Sequence, residues 1–196
     1  MATLFVDKID PQSGTSLEIG SSGDTITIPS GATITNNGTQ TGFGGVNTPA
    51  FEAYLSSNQN ISQSTNTKIQ FNTEVFDTAS AYDNSTNYRF QPQVAGKYFV
   101  YASVNCSSGS NVDNNKMDVV NIFFQKNGSD TGKSQRFSTY TQKIMERMVA
   151  SPSGIITLNG SSDYIEAYAY ITSNTQATLV TSTGIRCFFG AYKIIE

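Results

Sequence analysis

Apolar and polar positions alternate along most of this chain, but the alternation changes character near residue 45. Before that point apolar residues come as sparse pairs, Leu17 with Ile19, Ile26 with Ile28, then Ile34, each in a short run entered through a Ser-Gly dipeptide. The units Ser13–Ile19, Ser22–Ile28 and Ser30–Thr35 begin nine and then eight positions apart. Each combines a turn with a short strand whose apolar side chains point one way. A strand with one thin apolar face does not bury it alone, so the segment needs a partner: two sister chains wound about a three-fold axis, or the body of a larger assembly. The alternative is a small β-meander folded onto the rest of the chain. Thr39 to Pro49, with Gly42, Gly44 and Gly45, has the composition of a flexible linker.

From Phe51 the pattern predicts a β-sandwich. Phe51, Ala53 and Leu55 alternate, Gln59 to Thr67 is a polar loop, and Lys68–Phe71 and Glu74–Asp77 are two short strands or one bulged strand. The most informative stretch is Tyr82 to Tyr101. Asp83 to Asn87 carry side chains that bond nearby backbone and so predict a loop, Tyr88–Phe90 a short strand, and Pro92 and Gly96 a corner. A two-fold pattern follows, with Tyr98, Val100, Ala102, Val104 and Cys106 on one face and Phe99, Tyr101, Ser103 and Asn105 on the other. This predicts a central strand whose aromatic residues hold the sandwich together. Cys106–Lys116 is a long polar loop, Asp118–Lys126 a strand, and Asn127-Gly128 a hairpin turn leading into Thr131–Tyr140. Ile144–Val149 and Gly154–Leu158 are further strands, followed by a second tight turn at Asn159-Gly160. Tyr164–Ile171 turns Ile165, Ala167, Ala169 and Ile171 to the core, and Gln176–Val180 and Gly184–Ile195 complete the set. About ten strands without a helix predict an all-β jelly-roll sandwich over residues 46–196, preceded by a short β-repeat segment over residues 1–45.

An ordered set of motifs carries a resemblance. Tyr82-Asp83, Thr86 to Phe90, Ala95-Gly96-Lys97-Tyr98-Phe99 with Tyr101, the strand ending in Lys126-Asn127-Gly128, Ser162 to Ile165, and the closing Phe188 to Tyr192 follow one another at set intervals. Residues 51–194 thereby resemble the trimeric jelly-roll superfamily that includes the globular head of complement subcomponent q and tumour necrosis factor. Asn87 and Ala95 stand where that family has Gly and Pro, and the complement-type collagen stalk is absent. The N-terminal repeats resemble the leading segments of tail-fibre-like and virion surface proteins of tailed phages. Together the resemblances imply a homotrimer that docks through its N-terminus and displays a jelly-roll head.

Composition bears on the chemistry. Charged residues make up 14% of the 196, with a net charge of -3 and no polybasic run, which argues against nucleic acid as a partner. Lys126, Lys133, Arg136, Lys143 and Arg147, interspersed with Asp130 and Glu146, form a solvated rim. There is no histidine, which removes Ser-His and Cys-His nucleophiles and most zinc sites. Asp163 and Glu166 lie three apart on a strand and so on opposite faces, which is not a catalytic carboxylate pair. No catalytic residue and no cofactor is therefore expected; a depolymerase would need a convergent carboxylate pair. Asp77 with Asp83, and Asp113 with Asp118, flank oxygen-rich loops of the kind that bind calcium in some complement-head proteins, but no EF-like spacing appears and solvated turns account for them better. The two cysteines, Cys106 and Cys187, sit in apolar strands, as buried thiols or as one disulfide. The first residues lack the apolar run of a secretion signal, and no apolar stretch is long enough for a membrane span. The expected location is the virion surface.

Tyr164, Tyr168 and Tyr170 share the face opposite Ile165 and Ala167, and Phe188 and Tyr192 share a face of the last strand. These five are the candidate trimer contact, or a second core layer of the same sandwich. Leu17, Ile19, Ile26, Ile28 and Ile34 are the candidate docking residues toward other virion proteins. A strand rises about 3.3 Å per residue, so the first segment reaches at most roughly 150 Å; that favours capsid decoration, a head fibre or a short spike over a long fibre. The alternative function is a receptor-binding tip that recognises a host glycan or surface protein through the loops Gln59–Thr67, Cys106–Lys116 and Ser129–Gln142.

Overall fold

The computed structural model describes residues 9–38, 47–109, 116–139, 145–181 and 187–194. The chain divides into two compact units, Met1–Phe43 and Gly44–Glu196.

Among the described residues of the second unit, fourteen strands, numbered in chain order, form two antiparallel sheets. The first runs β2 (Gln59–Ile61), β13 (Ala177–Leu179), β7 (Ala95–Ser107), β14 (Phe188–Lys193), β1 (Ala50–Tyr54), β4 (Thr73–Asp77), with β10 (Arg147–Ala150) and β11 (Ser153–Asn159) also paired to β7. The second runs β5 (Tyr82–Asp83), β6 (Arg89–Phe90), β12 (Ile165–Ser173), β8 (Met117–Lys126), β9 (Ser129–Ser138), with β3 (Thr67–Lys68) on β12. The principal pairings nest: β8 with β9 is innermost, then β7 with β11, β6 with β12, and β1 with β14 outermost. One long hairpin folded over on itself in this way is a jelly roll. Two of the strands, β2 and β5, stand where the sequence pattern predicts no strand.

The thirteen-residue β7 organises the first sheet because it has room for two partners on each edge. Its first half pairs with β11 and its second with β10, while the opposite edge takes β14 and then β13. Its two-fold pattern places Tyr98, Val100, Val104 and Cys106 fully in the core. From the second sheet β12 contributes Ile165, Ala167, Ala169 and Ile171, also fully buried. Between them Phe51 stacks on Tyr82 at 4.5 Å and on Phe90 at 4.6 Å, and meets Phe189 edge-on at 5.0 Å. Each such ring contributes about 1.5–3 kcal/mol by leaving water. The Tyr82 hydroxyl donates to the Phe71 carbonyl and that of Tyr98 to the Val94 carbonyl, so neither phenol is buried unpaired. Cys106 and Cys187 are buried free thiols, which resolves that alternative.

Asn127 (φ 52°) and Gly128 (φ 78°) both adopt the left-handed conformation that a two-residue hairpin requires, as expected. Asn159-Gly160 does not make a hairpin. β11 and β12 belong to different sheets, and the Asn159 side chain accepts N–H groups of Ser161, Ser162 and Asp163 to hold the crossing. The stretch expected as a loop at 59–67 begins with β2, and most of 129–142 is β9. The central part of the 106–116 loop, residues 140–142, and most of the glycine-rich linker lie outside the described residues.

In the first unit, turns recur where the Ser-Gly dipeptides stand. The Asp24 N–H donates to the Ser21 carbonyl and the Ala32 N–H to the Pro29 carbonyl, with Gly23 (φ 95°) and Gly31 (φ 86°) at the third turn position. The expected strands between the turns pair with nothing within residues 9–38, because a strand exists only through a neighbour and one copy of this segment supplies none.

Candidate interaction surface

The outward face of the first sheet is assembled in three rows that cross its strands. In one, Ile155 of β11 lies beside Phe99 of β7, Phe99 beside Tyr192 of β14, and Tyr192 beside Ala50 of β1. In the next, Ser153, Tyr101, Gly190, Glu52 and Phe76 follow one another from β11 to β4. In the third, Ser103, Phe188 and Tyr54 are neighbours. The rings touch: Phe99 and Tyr192 have centroids 5.5 Å apart, Phe99 and Tyr101 6.1 Å, Tyr101 and Phe188 6.2 Å. Ile155 is 51% exposed, Phe76 44% and Tyr192 37%. Together these residues form one contiguous aromatic and aliphatic surface on the outside of the sheet.

Gly190 shapes the middle of that face. A Cβ there would lie 2.5 Å from Cζ and Oη of Tyr101 and 2.9 Å from the Phe51 carbonyl oxygen. The missing side chain lets the Tyr101 ring lie across β14, where its hydroxyl donates to Glu52 Oε2 at 2.9 Å. Burial, and then the Glu52 carboxylate, push the Tyr101 phenol far above its ordinary range, so it remains a proton donor.

The five aromatic residues singled out from sequence divide between the two outer faces. Phe188 and Tyr192 belong to the face just described. Tyr164, Tyr168 and Tyr170 lie on or beside β12 in the other sheet, partly exposed and outward, so they form no second core layer. They have local partners there. Arg89 sits 4.5 Å over the Tyr164 ring, Phe123 stacks on Tyr168 at 5.8 Å, and the Tyr168 hydroxyl reaches Glu166 Oε2. Glu166, nearly buried, pairs with Lys68 Nζ at 2.5 Å, and Lys68 also donates to the Asn87 carbonyl. Burial first, then the Glu166 charge, push Tyr168 up to about 12.

Phe99, Tyr101, Tyr54, Ile155 and Phe76 are additional members that sequence reasoning did not assign to a contact. The alternation along β7 did separate Phe99 and Tyr101 from the core-facing set; what it lacked was the neighbouring strands that make them one patch.

Of the acidic loops expected as calcium candidates, that of Asp77 and Asp83 is engaged with its own backbone. Asp77 accepts the N–H groups of Ala79 and Tyr82, and Asp83 those of Ser85, Thr86 and Asn87 as well as the Asn87 amide. These bonds, that of Thr86 foremost, hold the Asp83 carboxyl far below its usual range. Asp113 lies outside the described residues. Asp163 binds Lys126 at 2.7 Å, Asn127 and the Asn159 N–H, which locks the β8–β9 turn to the β11–β12 crossing. Among the described residues no three His, Cys, Asp or Glu side chains converge on a metal-sized site. Nor is any helix long and apolar enough to cross a membrane.

No family model matches the chain, and a search of curated proteins finds no match. Solved structures similar to it include murine APRIL (13% identity over 74% of this chain and 98% of that one, TM-score 0.48). Another is the Eiger TNF of S. frugiperda (14% identity over 74% and 90%, TM-score 0.49). The jelly-roll assignment rests on the nested strand pairing itself.

Proposed function

We propose that this protein is a non-enzymatic structural component of a tailed-phage virion: a homotrimer attached through its N-terminal segment, as a capsid decoration, head fibre or short spike, and displaying the jelly-roll head. The observation that carries the proposal is the outward face of the first sheet. Phe99, Tyr101, Phe188, Tyr192, Ile155 and Tyr54 form an aromatic patch with one tethered carboxylate, Glu52, near its centre. Copies meeting through this face remove its rings from water. The resemblance of residues 51–194 to a trimeric superfamily supports three copies, and the N-terminal repeats support the virion.

Light scattering on the purified chain is expected to give a mass near three times 21.2 kDa. Phe99→Asp is expected to weaken this association, so that the mass falls toward one subunit on dilution at concentrations where the wild type stays intact, while leaving the far-ultraviolet spectrum of a β-sandwich. A stable wild-type monomer refutes the assembly. Antibody labelling of intact virions tests the location: label on the capsid lattice or a short spike supports it, and absence from purified particles refutes it.

A further inference from the structure

We propose that residues 13–35 form a three-chain β-prism, in which the strands absent from one copy are completed by two further copies of the same segment. This deepens the trimer reading by naming the occupant of the N-terminal apolar positions, and it stands on observations separate from the head. Gly14, Gly23 and Gly31 recur nine and eight residues apart, and all three take a positive φ, at 78°, 95° and 86°. Two of these positions are closed turns, and Asp24 reinforces its own by accepting the Ser21 N–H at 2.7 Å. Among the described residues 13–38, backbone-to-backbone hydrogen bonds are confined to those two turns. The alternating runs between them thus present N–H and C=O groups available to pair with a further strand. Their apolar side chains are equally without cover: Leu17 is 44% exposed, Ile19 62%, Ile26 59%, Ile28 48% and Ile34 55%.

The occupant follows from pattern and charge. Residues 13–35 carry only two charges, Glu18 and Asp24, and the second is engaged in its turn. A strongly charged partner surface has nothing to complement here. The alternation Ile26-Thr27-Ile28, repeated at Ile34-Thr35, puts a β-branched aliphatic residue inward and a threonine outward at each level. Strands of the same eight-to-nine-residue period keep those levels aligned from chain to chain, whereas a surface without that period meets one level and misses the next. Three copies bring three isoleucines together at the levels of Ile19, Ile26, Ile28 and Ile34, and three leucines at that of Leu17. Attachment to the virion then uses the outward row of Thr25, Thr27, Thr33 and Thr35, because the apolar row is occupied.

Amide hydrogen exchange on the full-length chain, alongside light scattering, tests this. In the trimer the amides of residues 16–19 and 25–28 are expected to exchange at least a hundred-fold more slowly than in an unstructured peptide. Ile26→Asp/Ile28→Asp is expected to abolish that protection while the head retains its own. A trimer whose N-terminal amides exchange at the unstructured rate overturns this inference and leaves the head trimer standing. A monomer overturns both. Protection that appears only when another virion protein is added also overturns it, because the partner is then that protein and not a sister chain.

Discussion

Gly190→Ala isolates the contact at the centre of the aromatic face. Gly190 has no positive φ, so alanine meets no backbone penalty, and the effect comes from the space its methyl enters. That methyl would sit 2.5 Å from Cζ and Oη of Tyr101 and 2.9 Å from the carbonyl of Phe51, against an ordinary contact of about 3.4 Å or more. The Phe51 carbonyl belongs to β1, which β14 on one side and β4 on the other hold in register, so the ring must give way. Tyr101 then swings outward, loses Glu52, and opens its contacts with Phe99 and Phe188. Overpacking of this kind costs about 1–3 kcal/mol and the lost hydrogen bond about 0.5–1.5 kcal/mol. Because the ring is only partly buried and has solvent to move into, a total of about 2 kcal/mol is expected, or a Tm lower by roughly 4–8 °C for a unit of this size. Thermal unfolding at fixed protein concentration measures it. Combining Gly190→Ala with Tyr101→Ala removes the ring that the methyl strikes, so the double variant should cost at least about 1 kcal/mol less than the two single losses summed. Additivity within about 0.5 kcal/mol would refute the claim that Gly190 exists to admit Tyr101.

Asp83→Asn should destabilise the head at pH 7, because the amide nitrogen that replaces Oδ2 cannot accept the Asn87 N–H and side-chain amide, while Oδ1 still serves Ser85 and Thr86 without a charge. The folded carboxyl titrates below the unfolded one, so this advantage is complete above the unfolded value near about 4. It shrinks as pH falls toward the folded value, and urea melts of both proteins from pH 7 to pH 2 should converge. Lys68→Met leaves Glu166 nearly buried without its cation; with Lys68 itself about a third exposed, a loss of about 1–3 kcal/mol is expected by chemical denaturation, and Glu166→Gln in the same background should restore part of it. Both thiols are pushed up by burial, so a thiol reagent at pH 8 should leave the native protein essentially unmodified and react with two groups per chain once it is unfolded; rapid native reaction would contradict the packing of Cys106 and Cys187.

Much of the head was legible before its structure, and the reason is local. Two-fold alternation along β7 and β12 reports which side chains enter the core. Asn127-Gly128 reports a hairpin because few other pairs accept two left-handed residues in succession. Asn159-Gly160 has the same local signal and a different outcome. Gly160 passes so close to Val94 and Ala95 that a Cβ would come within 2.2 Å of the Ala95 nitrogen, and that contact belongs to a chain crossing between sheets. Nothing within a few residues of Asn159 encodes it.

The interaction surface shows the same division. Sequence alone determined that Phe99 and Tyr101 lie opposite the core-facing row, that Phe188 and Tyr192 share a side of their strand, and that the N-terminal apolar residues recur in units nine and eight residues apart. Those properties follow from the alternation of Cβ directions along a strand and need no knowledge of neighbours. Only the tertiary structure decided which strands lie side by side. It joined Phe188 and Tyr192 to Phe99, Tyr101 and Ile155, and moved Tyr164, Tyr168 and Tyr170 to the opposite sheet, where Arg89, Phe123 and Glu166 engage two of them. Strand order is set by pairings between residues as distant as Ala50 and Tyr192, whose energies depend on packing across the whole sandwich and leave no mark at either position in the chain.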